Sequence, residues 1–149
     1  MTDLAAIETL LHREIPLSRE MGVRMVFASP DAARITAPLT PNINYSGTGF
    51  GGSLYSAAVL SCWLLVRTTI EAHGLEFDTL VIQSGGMEYL KPVTANFEAE
   101  AHWPSEDGRA RFLEGLRRRK LFRTEIAAAV MSDGEICATL TGRFVARVR

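Results

Sequence analysis

The 149-residue sequence predicts an α+β fold in which an antiparallel sheet of about six strands wraps around one long central helix. Two observations carry this reading. From Gly52 to His73 the chain has no proline, is ended by Gly74 and is apolar nearly all round: Leu54, Tyr55, Ala57, Ala58, Val59, Leu60, Trp63, Leu64, Leu65 and Val66 fall within it. A helix without a polar face has to be enclosed by protein on most sides. The second observation is period-two alternation, the signature of half-buried strands. Phe97, Ala99, Ala101 and Trp103 alternate with Glu98, Glu100 and His102, and Ile136, Ala138, Leu140 and Phe144 alternate with Thr139, Thr141, Arg143 and Arg147.

The remaining elements follow in order. Leu4, Ile7, Leu10, Leu11 and Ile15 stand at helical spacing over residues 3–15, with Asp3 as N-cap and Pro16 as the stop. Val23 to Ala28 and Ala33 to Pro38 read as a hairpin joined by Ser29-Pro30-Asp31-Ala32. Strands are expected at Thr79–Tyr89, Asn96–Trp103, Leu121–Met131 and Ile136–Val148, with Ser132-Asp133-Gly134-Glu135 turning between the last two. Between the fourth and fifth strands, Ser105 to Arg119 reads as a short helix with Phe112, Leu113 and Leu116 on one side.

Composition bounds the function. With 47% apolar and 22% charged residues, residues 1–149 suffice for one domain with a real core and are too few for two. A net charge of −1 gives no overall bias toward nucleic acid or an acidic membrane. The one basic run, Arg117 to Lys120, lacks the interleaved aromatics of a nucleic-acid site. No charge occurs between Arg34 and Arg67, but the strongly apolar part, Leu54 to Val66, is shorter than the roughly 20 residues that span a bilayer, so a buried helix is expected and no membrane partner. Cys62 and Cys137 have no CxxC spacing and read as buried, reduced thiols. The first residues lack the basic and apolar regions of a secretion signal, and a cytoplasmic location is expected.

One loop carries chemistry. Gly47, Gly49 and Gly52 spell GxGxxG, but Pro41-Asn42-Ile43-Asn44-Tyr45-Ser46 before them is no parallel-sheet strand, and no GK[ST] follows. The dinucleotide and P-loop readings fail. What survives is a glycine-rich approach to a helix start, whose unpaired N–H groups suit a carbonyl oxygen that becomes an oxyanion. The glycines equally suit tight packing of loop on sheet, and the residues alone leave both open.

With that loop in view, the chain resembles the hot-dog-fold thioesterases along nearly its whole length, most of all the thioesterase domain of the YiiD C-terminal type. The residues that carry the resemblance are Asn44 followed by Gly47-Thr48-Gly49-Phe50-Gly51-Gly52, and Tyr89-Leu90-Lys91-Pro92-Val93 at a strand end. The resemblance implies a single hot-dog domain and a hydrolase acting on an acyl thioester of coenzyme A or acyl carrier protein, in a tunnel at a homodimer interface. It implies no cofactor and no metal, and a place in fatty acid metabolism. It assigns carbonyl binding to the N–H groups of Gly51, Gly52 or Ser53, and placement of water or carbonyl to Asn44. Two positions depart from the family pattern: its loop histidine is Phe50 here, and its helix carboxylate falls on Val59.

Polar substitutes are expected near by. Tyr55, Ser56, Cys62 and Trp63 stand one turn either side of Val59, with Ser56 the hydroxyl best placed for water and also able to bond back to its own helix. Gln83 and Ser84 are polar within an apolar strand followed by Gly85-Gly86, where a ligand or a bulge fits. Glu88 is the acid to check, since it faces inward only if the strand parity is reversed. His12, His73 and His102 read as surface residues. Arg119 and Lys120 suit the phosphates of coenzyme A or an acidic carrier protein, and equally a solvated helix end. The resemblance and these substitutes together imply Asn44, Gly52, Ser53, Ser56 and Ser84 as catalytic candidates, and Gly49, Phe50, Gly51, Tyr55, Val59, Gln83, Arg119 and Lys120 as substrate contacts. A thioester-binding module without turnover is the alternative. A wrapped helix and unpaired sheet edges predict a homodimer or a tetramer.

Overall fold

The computed structural model describes residues 2–149. Its elements in chain order are α1 (Leu4–Glu14), α2 (Pro16–Glu20), β1 (Arg24–Ala28), β2 (Ala32–Ala37), a 3-10 turn (Thr40–Asn42), α3 (Gly51–Ala72), β3 (Phe77–Tyr89), β4 (Phe97–His102), α4 (Glu106–Arg119), β5 (Leu121–Ser132) and β6 (Glu135–Val148). The six strands form one sheet in the order β1-β2-β4-β5-β6-β3, antiparallel throughout.

The sheet curls around α3. Leu64, Leu65, Val66 and Ile70 of the helix are fully buried, and burying such side chains contributes roughly 1.5–3 kcal/mol each. The sheet positions beneath are small: Ala99, Ala101, Ala128 and Ala138 are buried and let the helix approach the strands closely, while Phe97 and Phe144 fill the wider ends. By length and composition α3 is apolar enough to cross a membrane, but 67% of its most apolar window is buried inside this sheet.

The local chemistry of each end explains the boundaries. Asp3 Oδ1 accepts from the Ala6 N–H at 3.1 Å and starts α1. Pro16 does not simply stop the chain there; it occupies the first turn of α2, where its missing N–H costs nothing. Glu8 on α1 accepts from the Met25 N–H at 2.9 Å, so α1 shields part of the free edge of β1. Asp133 and Gly134 take φ of 52° and 75°, the left-handed pair that a two-residue hairpin needs between β5 and β6. On α4, Ser105 Oγ accepts from the Gly108 N–H at 2.9 Å, and Lys120 at φ 65° closes the helix by donating its N–H to Leu116. Phe112 of α4 packs between Trp103 and Phe122, tilted against the first at 5.6 Å between ring centroids and edge-on to the second at 6.5 Å.

The far edge of the sheet matters for the site. β3 begins at Phe77, two residues before the sequence-based expectation, and pairs with β6 alone. Its register shifts between Ile82 and Ser84, a bulge that leaves Gln83 without a partner.

Candidate functional site

The loop before α3 is braced by its own side chains. Asn44 Nδ2 donates to Thr48 Oγ1 at 2.8 Å, and its Oδ1 accepts from the N–H groups of Ser46 (2.9 Å) and Thr48 (3.1 Å). These bonds occupy the carboxamide within its own loop, so in this geometry Asn44 shapes the turn. Asn42, buried beneath, donates to the carbonyls of Met21 and Pro38, both at 2.8 Å. Gly47 at φ +81° makes the turn, and Gly49 N–H donates to Val93 O at 2.7 Å, tying the loop to the segment after β3.

Each later glycine meets a specific neighbour. A Cβ on Gly49 would stand 2.9 Å from Val93 Cβ, one on Gly51 3.3 Å from the Tyr89 ring, and one on Gly52 2.6 Å from the Phe50 ring. Packing therefore accounts for these glycines. It also leaves the helix start bare, because Phe50 sits at the N-cap, where Ser, Thr, Asp or Asn would normally cap the first turn. No side chain caps α3. The N–H groups of Gly51, Gly52 and Ser53 belong to that uncapped turn, with the partial positive charge of the helix end behind them.

In front of this turn lies a cavity of about 500 Å³ lined by Thr48, Gly49, Gly51 and Gly52 on one side and Tyr89 to Val93 on the other. Tyr89 Oη donates to Gly51 O at 2.8 Å, linking the end of β3 to the first residue of α3. Loss of hydration raises the Tyr89 phenol above its ordinary range, and the nearby Tyr55 adds to the shift. Tyr89 is the participant that sequence reasoning missed; its only signal was the Tyr-x-x-Pro spacing. Ile43, Tyr45, Phe50, Tyr89 and Leu90 are all exposed around this opening.

The other sequence-predicted residues divide between the site and elsewhere. Tyr55 sits beside the loop with its hydroxyl against Gly85. Ser56 Oγ donates to Gly52 O at 2.8 Å, bonded back to its helix. Val59 lies a turn further along, beside Tyr55 and Ser56 on the wall of a smaller cavity. Ser84 and Glu88 do not reach this region. They pair with Arg143 and Thr139, which alternate with the buried Leu140 and Phe144, so both lie on the outer face of the sheet. Gln83, in the bulge, accepts from Arg123 Nε at 3.2 Å on that outer surface. Arg119 and Lys120 end α4 beside the C-terminus, where Lys120 Nζ donates to Arg149 O at 3.3 Å. That corner adjoins the far end of α3, whose 22 residues extend about 33 Å at 1.5 Å each.

No histidine or carboxylate lines the loop cavity; Lys91 is its one charged residue. Among the described residues no group of three or more His, Cys, Asp or Glu is placed to hold a metal ion. Cys62 and Cys137 are buried and unpaired, and burial pushes the Cys62 thiol up to about 12, which keeps it protonated and unreactive.

Comparison with known proteins agrees with this architecture. A crystal structure of a protein of unknown function from Chlorobaculum tepidum superposes with a TM-score of 0.89 at 28% identity, covering 97% of this chain and 94% of that one. A crystal structure described as a putative thioesterase from Shewanella oneidensis gives 0.86 at 27%, covering 97% and 96%. A Pseudomonas aeruginosa protein described as a probable thioesterase gives 0.83 at 17%, covering 99% and 97%, a likeness of fold alone. The family model described as "Putative thioesterase (yiiD_Cterm)" matches residues 4–148. With a bare helix start facing a cavity, six strands around one helix and this match, the chain belongs to the YiiD C-terminal thioesterase family and has its hot-dog fold.

Proposed function

We propose that the protein hydrolyses an acyl thioester carried on coenzyme A or acyl carrier protein, and that the uncapped first turn of α3 binds the thioester carbonyl. The observation that carries this reading is Phe50 at the N-cap, which leaves the N–H groups of Gly51, Gly52 and Ser53 without a side-chain acceptor beside a cavity of about 500 Å³. Such donors act on the charge that develops on oxygen as water attacks the carbonyl carbon. Tyr89 holds the Gly51 carbonyl, and because a peptide is planar this also sets the direction of the Gly52 N–H. Asn44 contributes by keeping the loop in shape.

The exposed apolar ring around the opening and the single-sided pairing of β3 support a homodimer joined along β3. Antiparallel pairing of two β3 edges would bring the Arg119–Lys120 corner of one copy toward the glycine loop of the other. There the two cations would face the phosphates of coenzyme A or an acidic carrier surface.

A second reading, thioester binding without turnover, is favoured by one observation: no carboxylate or histidine lines the cavity to activate water. A panel of acyl-CoA substrates separates the two. Hydrolysis is expected, with a fall of about 10² in rate for Asn44→Ala, the size of loss when a positioning group lets the reacting atoms shift by about 1 Å. Saturable binding by calorimetry with only background hydrolysis would establish the binding module instead.

A further inference from the structure

Two cavities lie along the flank of α3 that the sheet leaves open. Tyr55, Val59, Trp63 and Arg67 follow one another at i,i+4 spacing and form a single ridge along that flank. The first cavity, about 250 Å³, has Tyr55, Ser56 and Val59 as its floor, Leu17 of α2 and Met21 just beyond it as one wall and Ile82 of β3 as the other. The second, about 480 Å³, has Trp63 and Arg67 as its floor, between Leu11 of α1 and Phe77 of β3. Ile15, in the bend between α1 and α2, lines both.

The chemistry of the two differs. No charged side chain lines the first cavity, and its two serines are already engaged: Ser18 Oγ donates to Ile15 O at 2.7 Å and Ser56 Oγ to Gly52 O at 2.8 Å. A polar guest would lose its hydrogen bonds to water there and gain few in return. The second cavity has apolar walls, Leu10, Leu11, Trp63 and Phe77 among them, but carries charges that the first lacks. Arg67 is held between Trp63 and Phe77, each ring centroid 5.3 Å from the guanidinium carbon, and pairs with Glu71 at 3.0 Å, with Glu14, Glu76 and Arg149 around it.

Resting on the thioesterase reading above, we propose that the acyl tail lies in the first cavity and that Ile15 sets where it ends. Ser56, which lines this cavity, stands one turn along α3 from Gly52, so the cavity begins about 5 Å from a carbonyl held at the helix start. The pantetheine arm, with its two amides, would be stranded there and belongs in the opening beside Lys91. At the roughly 30 Å³ that one small molecule such as water occupies in a liquid, 250 Å³ holds about eight heavy atoms. A longer hydrocarbon would have to pass Ile15 and lie against the charges around Arg67. The structure thus points to medium-chain acyl groups.

Measuring kcat/KM across acyl-CoA chain lengths from about four to sixteen carbons tests this in wild type, Ile15→Ala and Val59→Phe. Wild type is expected to prefer about eight carbons. Ile15→Ala should raise the sixteen-to-eight-carbon ratio at least about tenfold by opening one cavity to the other, and Val59→Phe should lower the eight-to-four-carbon ratio by a similar factor, the scale of discrimination that hydrophobic pockets provide. Ile15 is 39% exposed, so its truncation leaves the buried core in place. If wild type cleaves acyl-CoA but neither variant shifts the profile, the tail does not lie here and this inference alone fails. A wild type that neither cleaves nor binds acyl-CoA overturns the thioesterase reading and this inference with it. Binding without cleavage leaves calorimetric affinities across the same chain lengths to decide, with the same ratios expected to move.

Discussion

Cys62 faces the core on every side. Burial is the main cause of its raised pKa, and the hydrogen bond with Ser61 offsets only part of it. A thiol pushed from 9.0 to about 12 stays protonated in the folded protein while the unfolded chain begins to ionise near pH 9. The folded state therefore binds more protons across that window. The stabilisation from this group is complete below pH 9 and is lost as pH rises toward 12, with a slope of at most about 1.4 kcal/mol per pH unit. Urea midpoints measured between pH 8 and 11 should fall with pH in the wild type and fall less steeply in Cys62→Ala, whatever constant offset the lost sulfur adds. The same burial predicts that a thiol reagent labels Cys62 only on unfolding.

At the scale of elements, the end of β3 and the start of α3 are joined by one phenol across 38 positions of sequence. Tyr89→Phe keeps the ring against Gly51 and removes only the hydrogen bond, at a stability cost of about 1 kcal/mol. If the bond aims the Gly52 N–H, kcat should drop about tenfold with KM nearly unchanged. An unchanged kcat at the lowered stability would make Tyr89 purely structural. This contact illustrates what was legible in the sequence and what was not. The length of α3 and the alternation of β4 and β6 are local patterns, and all three elements fall where that periodicity places them, except that Ile136, which the alternation points inward, is 50% exposed at the start of β6 while Cys137 is buried. Pro16 was read as a stop because a proline ends a helix and also begins one, and sequence spacing does not separate the two uses. Gln83 and Ser84 stand out in the sequence as polar residues within an apolar strand before Gly85-Gly86, a pattern that does not say which face they take. The bulge at Gln83 resets the register, and a shift of one residue sends side chains to the other face. Asn44 was identified by its offset from the glycines, but its bonding to Thr48 and Ser46 depends on the fold of the loop itself.

For the whole molecule, the decisive feature is an unequal pair of edges. β1 has five residues and α1 covers part of its edge through Glu8, although Val26 and Phe27 stay exposed, whereas the 13 residues of β3 lie at the margin with Val81 and Tyr89 exposed. A second copy pairing there would remove an edge open to wrong partners and bring two loop sites near one axis. Light scattering at micromolar concentration should give a dimer or larger species, and the melting temperature should rise with protein concentration, as mass action requires when association stabilises the fold. A monomer with a concentration-independent melting temperature would count against a site at the interface.

The two tryptophans occupy contrasting places in this architecture. Trp103 is stacked on Phe112 with its indole N–H donating to Pro30 O at 3.1 Å, whereas Trp63 lies on the open flank of α3 under the Arg67 guanidinium. The molecule thus carries its own optical probe: Trp63 emission is expected to change when a guest passes Ile15 into the cavity beside Arg67, whereas Trp103 is held away from it in the same chain.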